Sequence, residues 1–337
     1  ARLRQMRAQR KAPRAAARAA PHPESPRRAP GWGVVALIRA PLEQIARFAA
    51  HHIKLGTERL YLHLDAPDDR AAAFLSAHPA IEVITCDDAW WQAQKKPRMA
   101  RHQQRQLYVA TQTYRRTDLD WLAHIDVDEF ILPPAPMADI LSRADAGCAA
   151  LRMAPVEQLA GADSLFKTTA RMAGHDSTVL EDIYPTFGPY LRGGYLSHLE
   201  GKLIARTGLA GVRLGLHGLL HHHQPVANVG AHDGLYIGHA HAPDWGTFRA
   251  NLDFRLAHGA YRKDADHGDA FRLHDTLQYL SAEEGEDGLR RFFHEVCEAT
   301  PQLLAQLRAH DMLLTRTLDL DAAVDRVFGA LPDEPAR

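Results

Sequence analysis

The sequence predicts an α/β fold: a mainly parallel sheet flanked by helices, with a helical extension at the C-terminus. Three observations carry that expectation. Residues 34–38 are a continuous apolar run, the pattern of a strand buried on both faces, and residues 60–64, 81–85 and 121–125 read as further short strands. The segments between them repeat apolar residues at helical spacing, and strands alternating with crossover helices build a parallel sheet. From residue 271 onward the pattern is helical only.

The elements follow in order. The folded part begins at Gly31-Trp32-Gly33, after Pro30, and leads into the first strand. Pro41 suits the first turn of a helix carrying Leu42, Ile45, Ala46, Ala49 and Ile53 on one stripe, and Gly56 supplies its stop. The strand 60–64 runs into a polar turn at 65–69, an alanine-rich helix up to Pro79, and the strand 81–85. Residues 90–97 read as a loop, in which Trp90 and Trp91 are core anchors ahead of a sugar platform. A helix over 100–116 then turns Leu107, Ala110, Thr111 and Tyr114 inward. After Pro133-Pro134 come a short helix (139–144), a strand (148–153) and a long polar, irregular stretch to Tyr195. Short strands at 202–206 and 212–216 precede a crowd of histidines, His217, His221, His222, His223, His232, His239 and His241. Helices follow at 245–258, 289–299, 302–310 and 321–328.

With 337 residues, 46% of them hydrophobic, the chain has ample material for a core. Its three cysteines, Cys86, Cys148 and Cys297, form no C-x-x-C pair, which fits a reducing, cytoplasmic compartment. No apolar run approaches the length that spans a bilayer. Residues 1–30 hold nine Arg or Lys against Glu24 alone, so this arm carries +8 and leaves −9 on the body. It reads as a solvated tail, or as a basic arm making a peripheral contact with an anionic membrane surface. The acidic body argues against nucleic acid as a partner.

Residues 121–132, WLAHIDVDEFIL, are the stretch with chemistry in them: an apolar strand ends in Asp126, Asp128 and Glu129. Carboxylates gathered at a buried strand end need a counter-charge. If residues 125–129 stay extended, Asp126 and Asp128 point to one side and hold one hard cation, Mn2+ or Mg2+, which keeps positions open for phosphate oxygens. Arg39 and Asp65 fall at neighbouring strand ends, where ligands of such sheets gather.

The order GVVALIRAP, His51-His52 before Leu55-Gly56, LYLHLDAPDD, a helix bearing Arg101, Gln104 and Arg105, then WLAHIDVDEFI, resembles the family 2-type glycosyltransferases of GT-A fold, near the DUF23 (family 92-like) branch. Gly201-Lys202, Arg206, His217 and the run from Gly238 through His239 to His241 fit more loosely. The resemblance implies a basic arm (1–30), a GT-A, Rossmann-like domain (31–262) and a helical extension (263–337). It implies a metal-dependent hexosyltransferase-like enzyme that moves a sugar from a nucleoside-diphosphate-sugar donor to a saccharide or lipid-linked acceptor. Asp65 then matches the position contacting the nucleotide, with Asp69 in the same loop, and Arg39, Arg101, Arg105, Asp126 and Lys202 are further donor-binding candidates. Asp126 and Asp128 match the metal motif, with His239 or His241 added to the shell. Arg39-Ala40-Pro41 departs from the family's usual Lys-Asn-Glu-like segment.

Asp128 and Glu129 are the catalytic candidates, and for the base that takes the acceptor's proton Glu129, Glu181, Asp182 and Asp176 stand equal. Two rival readings remain. His239-Ala-His241 invites a metal-dependent hydrolase, although Pro243 and Asp244 replace the Asp and His that an H-x-H-x-D-H motif needs. The other is a catalytically inert sugar- or nucleotide-binding module. His221, His222 and His223 read as a polar turn, since adjacent residues cannot all face one ion.

Overall fold

A computed structural model of the chain describes residues 29–259, 261–262 and 272–332, so the basic arm lies almost wholly outside the described residues. Strands β1 (Trp32–Ile38), β2 (Arg59–Leu64), β3 (Ile81–Thr85) and β4 (Trp121–His124) stand in the order β3-β2-β1-β4, every pair parallel. All seven residues of β1 and all four of β4 are buried, which is why β1 reads as an unbroken apolar run and β4 as one up to His124.

The crossovers are α1 (Leu42–Lys54), α2 (Asp69–Ser76), α3 (Asp88–Ala93) and α4 (His102–Arg116). Leu42, Ile45, Phe48 and Ala49 of α1 pack on the sheet with Ile38, Leu62 and Ile131. The Asp68 carboxylate accepts the Ala71 N–H at 2.9 Å and starts α2. The loop expected at 90–97 is corrected: residues 88–93 are the helix α3, started by the Asp87 carboxylate, which accepts the Trp90 N–H at 2.7 Å. Trp91 is buried and meets Trp90 edge-on, so the pair anchors the core.

Past β4 the sheet changes sense. Strand β8 (Lys202–Arg206) pairs antiparallel with β4, and β6 (Ala150–Gln158) antiparallel with β8; β7 (Leu165–Lys167) and β13 (Leu313–Thr315) continue the row. The long strand β12 (Val229–His239) runs parallel to β6 and antiparallel to β5 (Glu129–Leu132). The sheet is thus mixed and curled, flanked by helices, consistent with a GT-A-type, Rossmann-like arrangement, with parallel pairing concentrated in the half that carries β1 to β4. A small meander, β9 (Val212–Leu214), β10 (Leu219–His221) and β11 (Gln224–Pro225), sits apart, and His222 and His223 form its exposed turn at positive φ.

The remaining helices are α5 (Met137–Ser142), α6 (Val179–Ile183), α7 (Trp245–Ala257), α8 (Leu273–Tyr279), α9 (Gly285–Val296), α10 (Pro301–Ala309) and α11 (Leu320–Phe328). The expectation of helices alone after residue 271 is corrected by β13, which joins the tail to the main sheet through β7. Phe248 and Leu252 of α7, Phe292 and Phe293 of α9 and Leu307 of α10 share a core with Leu180, Ile183 and Tyr184. Helix α11 lies on α1, where Ala323 and Val324 meet Ala46 and Ala50 and Asp321 Oδ1 accepts from Arg47 Nε at 2.7 Å. No helix among the described residues is long and apolar enough to cross a membrane.

Candidate active site

Strand β4 stops at His124 because the chain turns: Glu129 N–H donates to Asp126 O at 3.0 Å, closing a tight turn over 126–129 before β5. The extended conformation expected for 125–129 is therefore corrected. The turn moves the chain from pairing beside β8 to pairing with β12, and so separates the two aspartates. Asp126 faces α4 and β8, and Asp128 faces β12.

Asp126 is held from two sides. Gln106 Nε2, on the buried stripe of α4, donates to Oδ1, and Lys202 Nζ donates to Oδ2 at 2.7 Å. The register of β4 against β8, with Ala123 opposite Ile204, brings Lys202 to the point where β4 ends. Gly201 is required there, since at φ +65° a side chain would meet Met153 O at 2.2 Å. Lys202 also pairs with Glu129 at 3.2 Å, and both residues are about 1% exposed. Burial opposes the lysine's charge, but Asp126 and Glu129 outweigh it and raise its pKa. Burial pushes the Glu129 carboxyl up to about 7, while Lys202 pulls it back. Glu129 is turned inward, and its Oε2 accepts the Asp126 N–H at 2.8 Å.

Asp128 meets His239. Their strands pair with Glu129 opposite His239, Ala240 N–H donates to Asp128 O at 2.8 Å, and His239 Nε2 lies 3.3 Å from Asp128 Oδ2. Burial works against a charged His239, yet the Asp128 carboxylate raises it to about 9. The neighbouring His241 goes elsewhere, with Nε2 2.8 Å from the Tyr261 hydroxyl and burial lowering its pKa well below the usual value. His198 stands beside His217 and His239, at ring-centroid distances of 3.8 and 6.1 Å. Its loop is fixed by buried Glu157, which accepts the Leu196 and Ser197 N–H groups and pairs with Lys167 at 3.1 Å.

Asp65 ends β2 as expected but is enclosed. Arg105 Nη2 reaches Oδ2 at 2.6 Å, Arg98 Nη2 reaches Oδ1 at 3.0 Å and His102 Nδ1 is 3.4 Å away. Burial opposes its ionisation, but hydrogen bonds from His102, Arg105 and Arg98 hold the carboxyl well below the usual range. Asp65 and Arg105 thus sit behind His102, which itself reaches the cleft. Arg101 precedes α4 as an exposed residue, and Asp69 is the exposed first residue of α2; neither lines the cleft.

That cleft, about 800 Å³, opens over the turn. It is lined by Arg39, Gln44, Arg47, His102 and Gln106, by Asp126, Asp128, His198, His239 and His241 around the turn, by Asp163 from the β6–β7 connection, and by Asp244, Thr247, Asn251, Phe254 and Arg255 from α7 and its cap. Glu181, Asp182 and Asp176 are exposed and do not line it. Sequence reasoning missed Gln106, His198, Asp163 and the α7 residues. The spacing of Gln106 two turns from Tyr114 on one helix stripe was a readable signal. For Asp163 there was none, because it sits in the connection between β6 and β7.

Among the described residues no group of three or more His, Cys, Asp or Glu side chains is assembled around one point for a metal. The Asp128–His239 pair, an oxygen and a nitrogen ligand facing one cleft, fits a cation that takes its remaining ligands from a diphosphate and water. Both Asp126 oxygens already have partners.

No family model matches the chain, and no curated protein matches it. Solved structures do. The mannosyltransferase PcManGT from Pyrobaculum calidifontis, in complex with GDP-Man and Mn2+, is 14% identical, over 92% of this chain and 82% of that one, at a TM-score of 0.38. TarS residues 1–349 from S. aureus are 12% identical, over 88% of this chain and 90% of that one, at 0.36. A mycobacterial protein is 14% identical, over 70% of this chain and 76% of that one, at 0.35. Likeness at this level leaves function to be argued from the residues of the cleft.

Proposed function

We propose that the chain is a metal-dependent glycosyltransferase, transferring a sugar from a nucleoside-diphosphate-sugar donor to a saccharide or lipid-linked acceptor. One observation carries the reading: in a cleft at the carboxyl ends of the parallel strands, Asp128 and His239 meet across two strands at 3.3 Å, beside the Lys202–Asp126 pair. In this reading the nucleotide lies toward Arg39, His102 and Gln106, and its diphosphate toward Asp128 and His239. Asp128 and His239 would hold a divalent cation, Mn2+ or Mg2+, which when bound would supply Lewis-acid neutralisation of the diphosphate charge. Lys202 keeps Asp126 ionised and fixed, and Asp126 with Gln106 sets the floor of the donor site. Asp65, clamped by Arg98 and Arg105, positions His102.

The base in this reading is Asp163. Of the carboxylates lining the cleft, Asp126 is engaged by Lys202, Asp128 by His239, Asp244 by the Thr247 N–H and hydroxyl, and Asp321 by Arg47. Asp163 lines the cleft with no close ion pair among the described residues, the Arg47 guanidinium, itself held by Asp321, acting on it only at longer range. As the acceptor oxygen bonds to the anomeric carbon, its proton passes to Asp163 and the bond to the diphosphate breaks. The three buried cysteines, all free, accord with a cytoplasmic setting. The basic arm would there meet the anionic inner face of the membrane.

The test is donor turnover with manganese, compared among wild type, Asp128→Ala and His239→Ala. Both variants should lose cation-stimulated turnover. Turnover that survives the substitutions and chelation together would overturn the metal role. Stoichiometric zinc retained by Asp126→Ala would instead favour the hydrolase reading, and nucleotide binding without turnover the inert module.

A further inference from the structure

Helix α7 has two unlike faces. Phe248 and Leu252 are fully buried in the core shared with α9. Thr247, Asn251, Phe254 and Arg255, at helical spacing, line the cleft, and Asp244 caps the helix just before them. Phe254 is 58% exposed at this lip, so its ring is accessible to a ligand in the cleft. Among the described residues its ring neighbour is His258, at 5.7 Å between centroids, and Phe254 is part of the cleft lining.

The connection between β6 and β7 comes close to the start of α7 and also lines the cleft. Gly161 N–H donates to Pro243 O at 3.1 Å, and Gln158 Nε2 to Asp163 O at 3.3 Å, so Asp163 is held near the start of α7. The charges here are those of Asp163 and Asp244, and the Arg47 guanidinium that acts on Asp163 from a distance is already tied to Asp321 and Glu43. The Arg255 guanidinium is turned away to His241 O, at 2.8 Å, and to the Tyr261 hydroxyl. The Asn251 amide N–H donates to Thr247 O at 2.9 Å and the Thr247 hydroxyl to Asp244 Oδ2 at 2.8 Å, which leaves Asn251 Oδ1 and the Thr247 hydroxyl oxygen as acceptors. An aromatic face beside such acceptors and carboxylates suits a neutral ring with apolar C–H faces and hydroxyl edges. It does not suit a phosphate group.

We infer that the α7 lip is the acceptor subsite and that it takes a neutral saccharide ring, stacked on Phe254, with hydroxyls at Asn251 and Thr247 and one hydroxyl turned toward Asp163. The inference rests on the transferase reading above and narrows its acceptor to the sugar itself, not a lipid-linked phosphate.

Saturation-transfer NMR with methyl glycosides of the common hexoses tests it, with nucleoside diphosphate and manganese binding measured calorimetrically on the same samples. Wild type should show transfer to the ring protons of at least one glycoside. Phe254→Ala should weaken that glycoside by up to about tenfold, as expected for loss of one aromatic contact, and Phe254→Tyr should keep it. Asn251→Ala should weaken it as well, and the nucleotide should bind all variants alike. Glycoside binding indifferent to Phe254→Ala and Asn251→Ala, no glycoside binding at all, or preference for a polyprenyl phosphate probe would each overturn the inference. Failure of the nucleotide to bind wild type would instead remove the transferase reading, and the two failures are read on separate signals.

Discussion

Lys202 Nζ lies 2.7 Å from Asp126 Oδ2, an ammonium sealed beneath the end of β4. A cation built into the chain holds the first aspartate of the motif, while the second faces His239. Lys202→Met should therefore destabilise the protein by about 3–5 kcal/mol, the usual result of stripping one partner from a buried ion pair, here leaving Glu129 exposed to the same loss. Urea unfolding followed by fluorescence measures it.

Cation binding should depend on pH through His239. Asp128 raises this histidine to about 9, so below that value a proton occupies the nitrogen a metal would take. Manganese affinity should rise with pH, by up to about tenfold per unit, and level off near 9. Calorimetric titration across pH in the presence of a nucleoside diphosphate shows the slope, and His239→Gln should flatten it.

Asp163→Asn should lower kcat by about 10²- to 10⁴-fold, the usual contribution of a general base, and leave donor affinity unchanged. Glu181→Gln and Asp182→Asn, outside the cleft, should change neither quantity.

Stability should fall on the acid side of neutrality. His51, His63 and His124 are buried and lowered to about 4, 3 and 4, with burial the leading cause in each. Unfolded, each takes up a proton as pH drops through about 6.5, whereas folded each stays neutral until its own lower value. Each thus contributes stability that is complete above pH 6.5 and is lost between there and its folded value, at about 1.4 kcal/mol per pH unit. Stability measured from pH 7 to 5 should show this slope, and His51→Gln should reduce it by one proton whatever its effect on the level.

Much of the parallel half was legible in the chain because strands buried on both faces leave continuous apolar runs and helices leave periodic ones. That Asp126 and Asp128 would come to one cleft was legible too, as charge gathered at a buried strand end. Their partners were not. Lys202 and His239 reach them through an antiparallel register and a strand that joins β6 to β5, and pairing between strands leaves no trace in the local pattern of either. The tight turn at 126–129 was hidden by the apolar residues around it, and α3 by an Asp87 cap that the two tryptophans obscured. Asp65 was correctly placed at its strand end, but its arginine clamp depends on a helix 40 residues away.

Helix α11 packs on α1, and Leu320 and Asp321 thereby join Gln44 and Arg47 in the cleft wall. The pocket is thus shared between two helices far apart in sequence, so a change that loosens Ala323 or Val324 from Ala46 and Ala50 would be felt in the shape of the cleft and not in stability alone.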